Sequence, residues 1–579
     1  MDRLKKALFL LVASACLLFV ILGLFSFSFF EKDSFAVQSL NHGELLIRPF
    51  AKEDKLFYFL PSGTDAEDFV LKAENTADGN RALLAELAQE NSQVSYKGGM
   101  RSVEILAADQ IPTLYIELLK KDIDYLNSNK EHRLDIKAYL YDEKGGLLAD
   151  PIKGTIKGRG NNSWNADKKA YNLNFESRQS LLGMNEAEKW VLISNGMDPT
   201  LLYNKSIYDL GRQTGLEWTP ECEFVNLYLN GEYYGLYLLS EKVEVEKGRL
   251  ELKRSESLLK RELNERLDIV DNGFLTDHGN VMEITYPKKI SSFHKQEVEK
   301  QVQKMEDVIF DLESEEWKDV IDIDSWARCY LIDEIFDNFD AGIASAYFYI
   351  KEDGTVCRGP IWDYDAILFD NPDSIIANSQ MRQPYSANDY YYHLYLRDDF
   401  KNRVKDLFEK ELKPLINGYF FGRVDELAEK IDRSRYMDCL RWNVSSDKTP
   451  ISYFKDYVEE KIRFLDEYWN DEKDYCKIQI QKETYFLTYM VKKGEMIDRA
   501  LNIDMDLFDG KTYFYEDGRE FKIDDIIKED IRLRLTKEPS EDANGISYSS
   551  GLGVLNIVFL SAFGLLFIAI AYRFFKNYE

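Results

Sequence analysis

Histidine and cysteine are scarce in this chain, and the few present stand apart from one another. The five His and six Cys among 579 residues form no HxxxH or other zinc spacing, which excludes the usual zinc motifs. Cys16 falls in a long uncharged run. The remaining five cysteines are odd in number and lack framework spacing, so free buried thiols are expected rather than disulfides. Positive charge is also in short supply: 74 Lys and Arg against 102 Asp and Glu leave a net charge of −28. Nucleic acid is therefore excluded as a partner, because its binding runs on cationic surface. No GxxxxGK[ST] loop is present, which removes the Walker A class of nucleotide site. Disorder is excluded too, since 45% of residues are hydrophobic and 14% aromatic. The length exceeds one ordinary core and predicts a large central domain with one or two smaller ones.

Two runs without charge frame the chain, residues 7–30 and 552–572. Each is long enough for a membrane-spanning helix. Arg3, Lys5 and Lys6 precede the first, and Arg573 and Lys576 follow the second. By the positive-inside rule this pattern predicts a two-pass protein of the cell membrane: contact with the lipid bilayer through both helices, cytoplasmic ends at 1–6 and 573–579, and everything between outside. Within that part, residues 31–110 alternate in short strand-like runs and predict a β-rich accessory module. Residues 477–538 predict a second small β module, and 539–551 a polar linker.

The chemistry concentrates between residues 333 and 370. An apolar segment of helical spacing ends in Asn338-Phe339-Asp340. Residues 346–350 then read as a strand, Glu352-Asp353-Gly354 as a hairpin turn, and 359–362 as the returning strand. It ends in Asp363-Tyr364-Asp365 among Trp362, Ile367, Leu368 and Phe369. Two carboxylates one residue apart beside apolar side chains repel each other unless a cation lies between them. On spacing alone, solvated turn chemistry is the commoner outcome for such a pair. Upstream, Gly158-Arg159-Gly160-Asn161-Asn162-Ser163-Trp164 is a Gly/Asn loop between strands, with Lys168-Lys169 beyond it. Loops of this kind offer backbone N–H groups and cationic side chains to phosphate. Asn230-Gly231 marks a hairpin that ends at Glu241.

In combination these motifs resemble the CotH kinase family. The resemblance rests on the loop ending Asn161-Asn162-Ser163-Trp164 with Lys168-Lys169-x-Tyr171, on Asn195-x-x-Asp198, and on the hairpin Tyr228-Leu229-Asn230-Gly231 through Glu241. To these add Tyr286-Pro287, Asn338-x-Asp340, Trp362-Asp363-x-Asp365 and Arg441-Trp442, in family order. It implies an atypical protein-kinase-like two-lobed domain over 111–476; with the β-rich modules and the transmembrane helix read at each end, the expected fold class is α+β. It implies ATP and Mg²⁺ or Mn²⁺ as cofactors and a protein substrate, for which the acidic charge suggests basic character. By the same resemblance Asp340 is the catalytic base, Arg159, Lys169 and Glu241 bind ATP, and Asp363 and Asp365 hold metal. Ser345 stands where the family has an asparagine, a shorter and poorer ligand. That departure keeps a non-catalytic pseudokinase, acting as a binding or assembly protein, as the alternative.

Overall fold

The computed structural model describes residues 35–535 apart from 42–44, 72–82, 90–92, 149, 161, 339–340, 342–343, 366, 368–389, 483–484, 497–510 and 523. The chain divides into two compact units that meet at Tyr475 and Cys476.

The centre of the first unit is a closed barrel of seven strands. In barrel order they are Ile152–Arg159, Ala170–Gln179, Ala187–Ile193, Glu232–Glu241, Cys222–Leu229, Thr113–Leu118 and Arg133–Tyr141. Alternation builds it: Ile156, Leu173, Trp190, Leu192, Leu227 and Leu239 point inward to a shared core. The residues between them face out. Only Cys222–Leu229 and Thr113–Leu118 pair in parallel among the barrel strands. The Asn-Gly hairpin forms as the sequence predicts, with Asn230 at φ 49° and Gly231 at φ 86°. These are the left-handed values that a two-residue hairpin turn needs.

Ahead of the barrel lie a three-stranded and a four-stranded sheet. Their buried Leu56, Tyr58 and Leu60 share a core with Tyr115, Tyr139, Tyr228 and Tyr233 of the barrel. After it, Ser257–Glu262 centres a five-stranded sheet, with Val281–Tyr286 on one side and the hairpin Tyr347–Ile350, Val356–Arg358 on the other. Helices complete the unit: Ser292–Phe310, Ile323–Ile335, Asp398–Leu407, Phe421–Trp442 and Thr449–Asn470. Beyond Asp398–Leu407 the chain stays helical through wide π turns at Phe408–Leu412 and Ile416–Phe420. Pro414 lies between them, and a proline has no N–H for the regular ladder.

The second unit carries a three-stranded sheet, with Ile531–Leu533 parallel to Tyr475–Lys482 and Tyr485–Lys492 on the other edge. Cys222, Cys329, Cys357, Cys439 and Cys476 are all free and buried.

The expectation of a two-lobed domain held between two membrane helices is corrected. The described chain is a closed barrel, further sheets and a helical region, and none of its helices is long and apolar enough to cross a membrane. Helices such as Thr449–Asn470 are amphipathic and bury one face against the unit, with charged residues on the other. The two-pass placement in a cell membrane is corrected by the same finding. The uncharged runs 7–30 and 552–572 themselves lie outside the described residues.

Candidate active site

A single acid organises the region after the second hairpin strand. Asp333 interrupts the apolar run of helix Ile323–Ile335 and is 1% exposed. A buried carboxylate is tolerated only with partners, and Asp333 has four. It accepts the Tyr364 hydroxyl at 2.6 Å, the Tyr391 hydroxyl at 3.0 Å and the Asn338 amide at 3.2 Å. Arg358 lies at 3.4 Å. Burial pushes the Asp333 carboxyl up, and the Arg358 guanidinium opposes that shift. Asp333 thereby ties the helix to the returning strand, to the loop beyond it and to helix Tyr390–Tyr395.

The inward pull on Tyr364 sets the two acids beside it. Its N–H donates to Asn204 at 2.8 Å, and the Asn204 side chain donates to Asn195 at 3.1 Å. Asn195 and Asp198 are thus framework residues. Asp198 accepts the N–H groups of Thr200 and Tyr203, each at 2.7 Å, and holds the start of helix Tyr203–Gly211. Burial raises its carboxyl to about 6, against these hydrogen bonds.

Asp363 is half-buried and adopts φ 71°. Its N–H donates to the Tyr208 hydroxyl at 3.1 Å, and the Ser345 hydroxyl donates to its Oδ2 at 2.9 Å. Ser345 has φ 55° as well. Two non-glycine residues in left-handed conformation, bonded to one another, store strain of a kind found at ligand sites. Next to Asp363, Trp362 stacks on Tyr208 at 5.9 Å and carries the Arg159 guanidinium at 5.3 Å from its ring centre. The end of a barrel strand thus brings a cation to the acidic loop. Burial raises the Tyr347 phenol, with Lys260 and Arg159 opposing the shift and Asp363 and Glu262 adding to it.

The remaining predicted residues have specific places. Lys169 donates to the Trp164 carbonyl at 2.7 Å and lies 5.1 Å from that indole's ring centre. Trp164 in turn packs on Gly158, where a Cβ would come within 2.5 Å of the ring. Lys168 is buried and pairs with Asp438 at 2.7 Å while donating to the Leu236 carbonyl. Glu241 is fully buried and pairs with Arg249 at 3.5 Å rather than with Lys169. Burial raises its carboxyl. Asp365 is 8% exposed. Asp340 lies outside the described residues; Asn338, two positions before it, is buried with an Oδ1 that has no partner.

Sequence reasoning missed Lys260 and Glu262, which form an ion pair at 2.5 Å on strand Ser257–Glu262. The signal was available: two opposite charges two residues apart on a strand share one face.

No group of three or more acidic, His or Cys side chains suited to a metal occurs among the described residues. The donor set is oxygen: the Asp363 carboxylate with Asp365 nearby in sequence. Mg²⁺ keeps several waters and takes one or two carboxylates plus substrate phosphates, so these residues fit it better than a metal needing a full protein cage.

Compared with known proteins, residues 156–476 match the family model described as CotH kinase protein. No curated protein matches the chain. The matched region holds the Gly/Asn loop, Glu241, the hairpin and the Asp363 loop.

Proposed function

This chain belongs to the CotH kinase family, and from that premise we propose that it is a protein kinase that transfers the γ-phosphoryl group of ATP to Ser or Thr hydroxyls of protein substrates. The observation that carries the reading is a half-buried Asp363 in left-handed conformation, next in sequence to Trp362, over whose ring the Arg159 guanidinium lies. Phosphoryl transfer needs positioned cations and hard oxygen ligands more than covalent chemistry from the protein.

In this reading Asp363, with Asp365, holds Mg²⁺ or Mn²⁺. The ion, when bound, neutralises phosphate charge and aligns the transferring group. Arg159 neutralises further phosphate charge, and its stacking on Trp362 fixes where that charge sits. Lys169 approaches the nucleotide from the Trp164 loop. Glu241 acts through Arg249, keeping the end of the barrel hairpin in place. Asp340 accepts the substrate hydroxyl proton. A carboxylate suffices in this role, because proton transfer comes late in a loose transition state. The acidic chain favours basic substrate segments by electrostatic steering.

The test is incubation of the full chain with γ-labelled ATP, Mg²⁺ or Mn²⁺ and a panel of Ser/Thr peptides. Label transfer is expected, with a loss of roughly 10²–10³-fold or more in Asp340→Ala and Asp363→Ala. A folded protein that binds ATP and transfers nothing with either metal overturns the kinase reading. It would favour the non-catalytic alternative.

A further inference from the structure

The basic residues that the acidic loop does not use gather on the outer face of the barrel. The antiparallel register sets Lys157 opposite Asn172 on one side and Arg133 on the other. It sets Asn174 opposite Thr155 and Lys189. Directly opposed residues share a face, and the intervening Ile156 and Leu173 belong to the core. The outward side chains line a cavity of about 340 Å³ that Lys242 and Lys288 complete. Five of the lining residues are cationic, none is a carboxylate, and Leu173 alone is apolar.

Two of these cations are neutralised nearby, Lys157 by Glu131 at 2.5 Å and Lys189 by Glu244 at 2.7 Å. Arg133, Lys242 and Lys288 have no ion-pair partner among the described residues. In a chain of net charge −28, five cations lining one cavity against the flanking Glu131 and Glu244 are a local reversal of sign. Ordinary surface lysines spread into water to escape such repulsion. Lys242 cannot, because it is half-buried at the end of the barrel hairpin. Its ammonium is brought down to about 8, first by burial and then by Lys189, Lys288 and Arg159, with Glu244 opposing. A like-charge cluster around a half-buried lysine is relieved by a bound anion.

We propose that this cavity binds a multiply charged phosphate anion, held by Arg133, Lys242 and Lys288 with the Asn172 and Asn174 amides as further donors. The lining offers no aromatic wall for a base, so recognition is of phosphate oxygens. The phosphate chain of a nucleotide and a free oligophosphate share that chemistry. The inference goes beyond the kinase reading and does not depend on Asp363.

Isothermal titration of the full chain with sodium tripolyphosphate, at fixed ionic strength and without divalent metal, tests it. Saturable binding is expected for the wild type and for Asp363→Asn. Binding weakens at least about tenfold in the Arg133→Gln, Lys288→Gln double variant. Both of those positions are exposed, so the fold is retained, which circular dichroism checks. Absence of saturable binding to the wild type, or equal affinity in the double variant, overturns the proposal. Displacement of tripolyphosphate by ATP identifies a nucleotide's phosphate chain as the occupant, and failure of ATP to displace it identifies a free oligophosphate. Displacement by adenosine, which has no phosphate, overturns the assignment. A chain that binds tripolyphosphate but transfers no label separates this site from the kinase reading.

Discussion

At the scale of single residues, the acidic loop depends on side chains whose shape matters as much as their charge. Arg159 is a planar cation lying over Trp362, and a lysine keeps the charge but loses the stacked geometry. Arg159→Lys is therefore expected to weaken ATP use about 3- to 30-fold, as a stacked cation contributes roughly 0.5–2 kcal/mol. Steady-state kinetics in ATP measure this. Lys242 makes a second prediction. Its folded-state value of about 8 lies below the ordinary lysine value of 10.5, so the folded chain binds fewer protons between those limits. Stability from this group accordingly rises as pH rises from about 8 to 10.5, and its penalty is full below that window. Denaturant midpoints of wild type and Lys242→Met, compared from pH 7 to 10.5, should show the wild type gaining on the variant through that range. A constant difference would refute the assignment.

At the scale of elements, buried polar contacts decide how helices meet strands. Asp333 joins a helix to the hairpin strand and the acidic loop through Arg358, Tyr364 and Tyr391. Asp333→Ala leaves Arg358 buried and uncompensated, so a loss of about 3–5 kcal/mol is expected in chemical denaturation. Helix Phe421–Trp442 is fixed to the barrel hairpin in a similar way. Asp438 accepts the Leu236 N–H at 2.8 Å and pairs with Lys168, while the Trp442 indole donates to Tyr234. Gly235, at φ 119°, permits that approach, since a Cβ there would come 2.3 Å from the Asp438 carboxylate. Gly235→Ala is expected to cost at least about 1–3 kcal/mol from backbone strain, plus the clash. A lowered melting temperature checks it.

At the scale of the whole molecule, charge is unevenly spread. The chain is acidic overall, yet five cations and no carboxylate line the cavity on the outer face of the barrel. Basic peptides should be phosphorylated faster than acidic ones of matched sequence, with the advantage shrinking as salt rises from about 50 to 200 mM, because steering between exposed charges is screened. Equal rates at low salt would remove the argument for a basic substrate. Much of the architecture could be read from the chain in advance. The Gly/Asn loop read as lying between strands, the Asn230-Gly231 turn marked a hairpin, and apolar spacing marked the helix before Asn338, but the closure of the strands into a barrel did not show. Those signals are local, set by backbone period and turn geometry. The uncharged runs at each end also read clearly, but as hydropathy alone, and the described helices include none that crosses a membrane. Choice of partner was beyond the sequence. Lys168 and Lys169 are neighbours, yet one is spent on Asp438 and the other faces Trp164, while Glu241 belongs to Arg249. Asp333 looked like one acid among several. The sequence by itself determined which segments alternate, turn and coil; only the tertiary structure decided which charges meet, because ion pairing depends on distance and burial, and both arise from chain segments far apart in sequence.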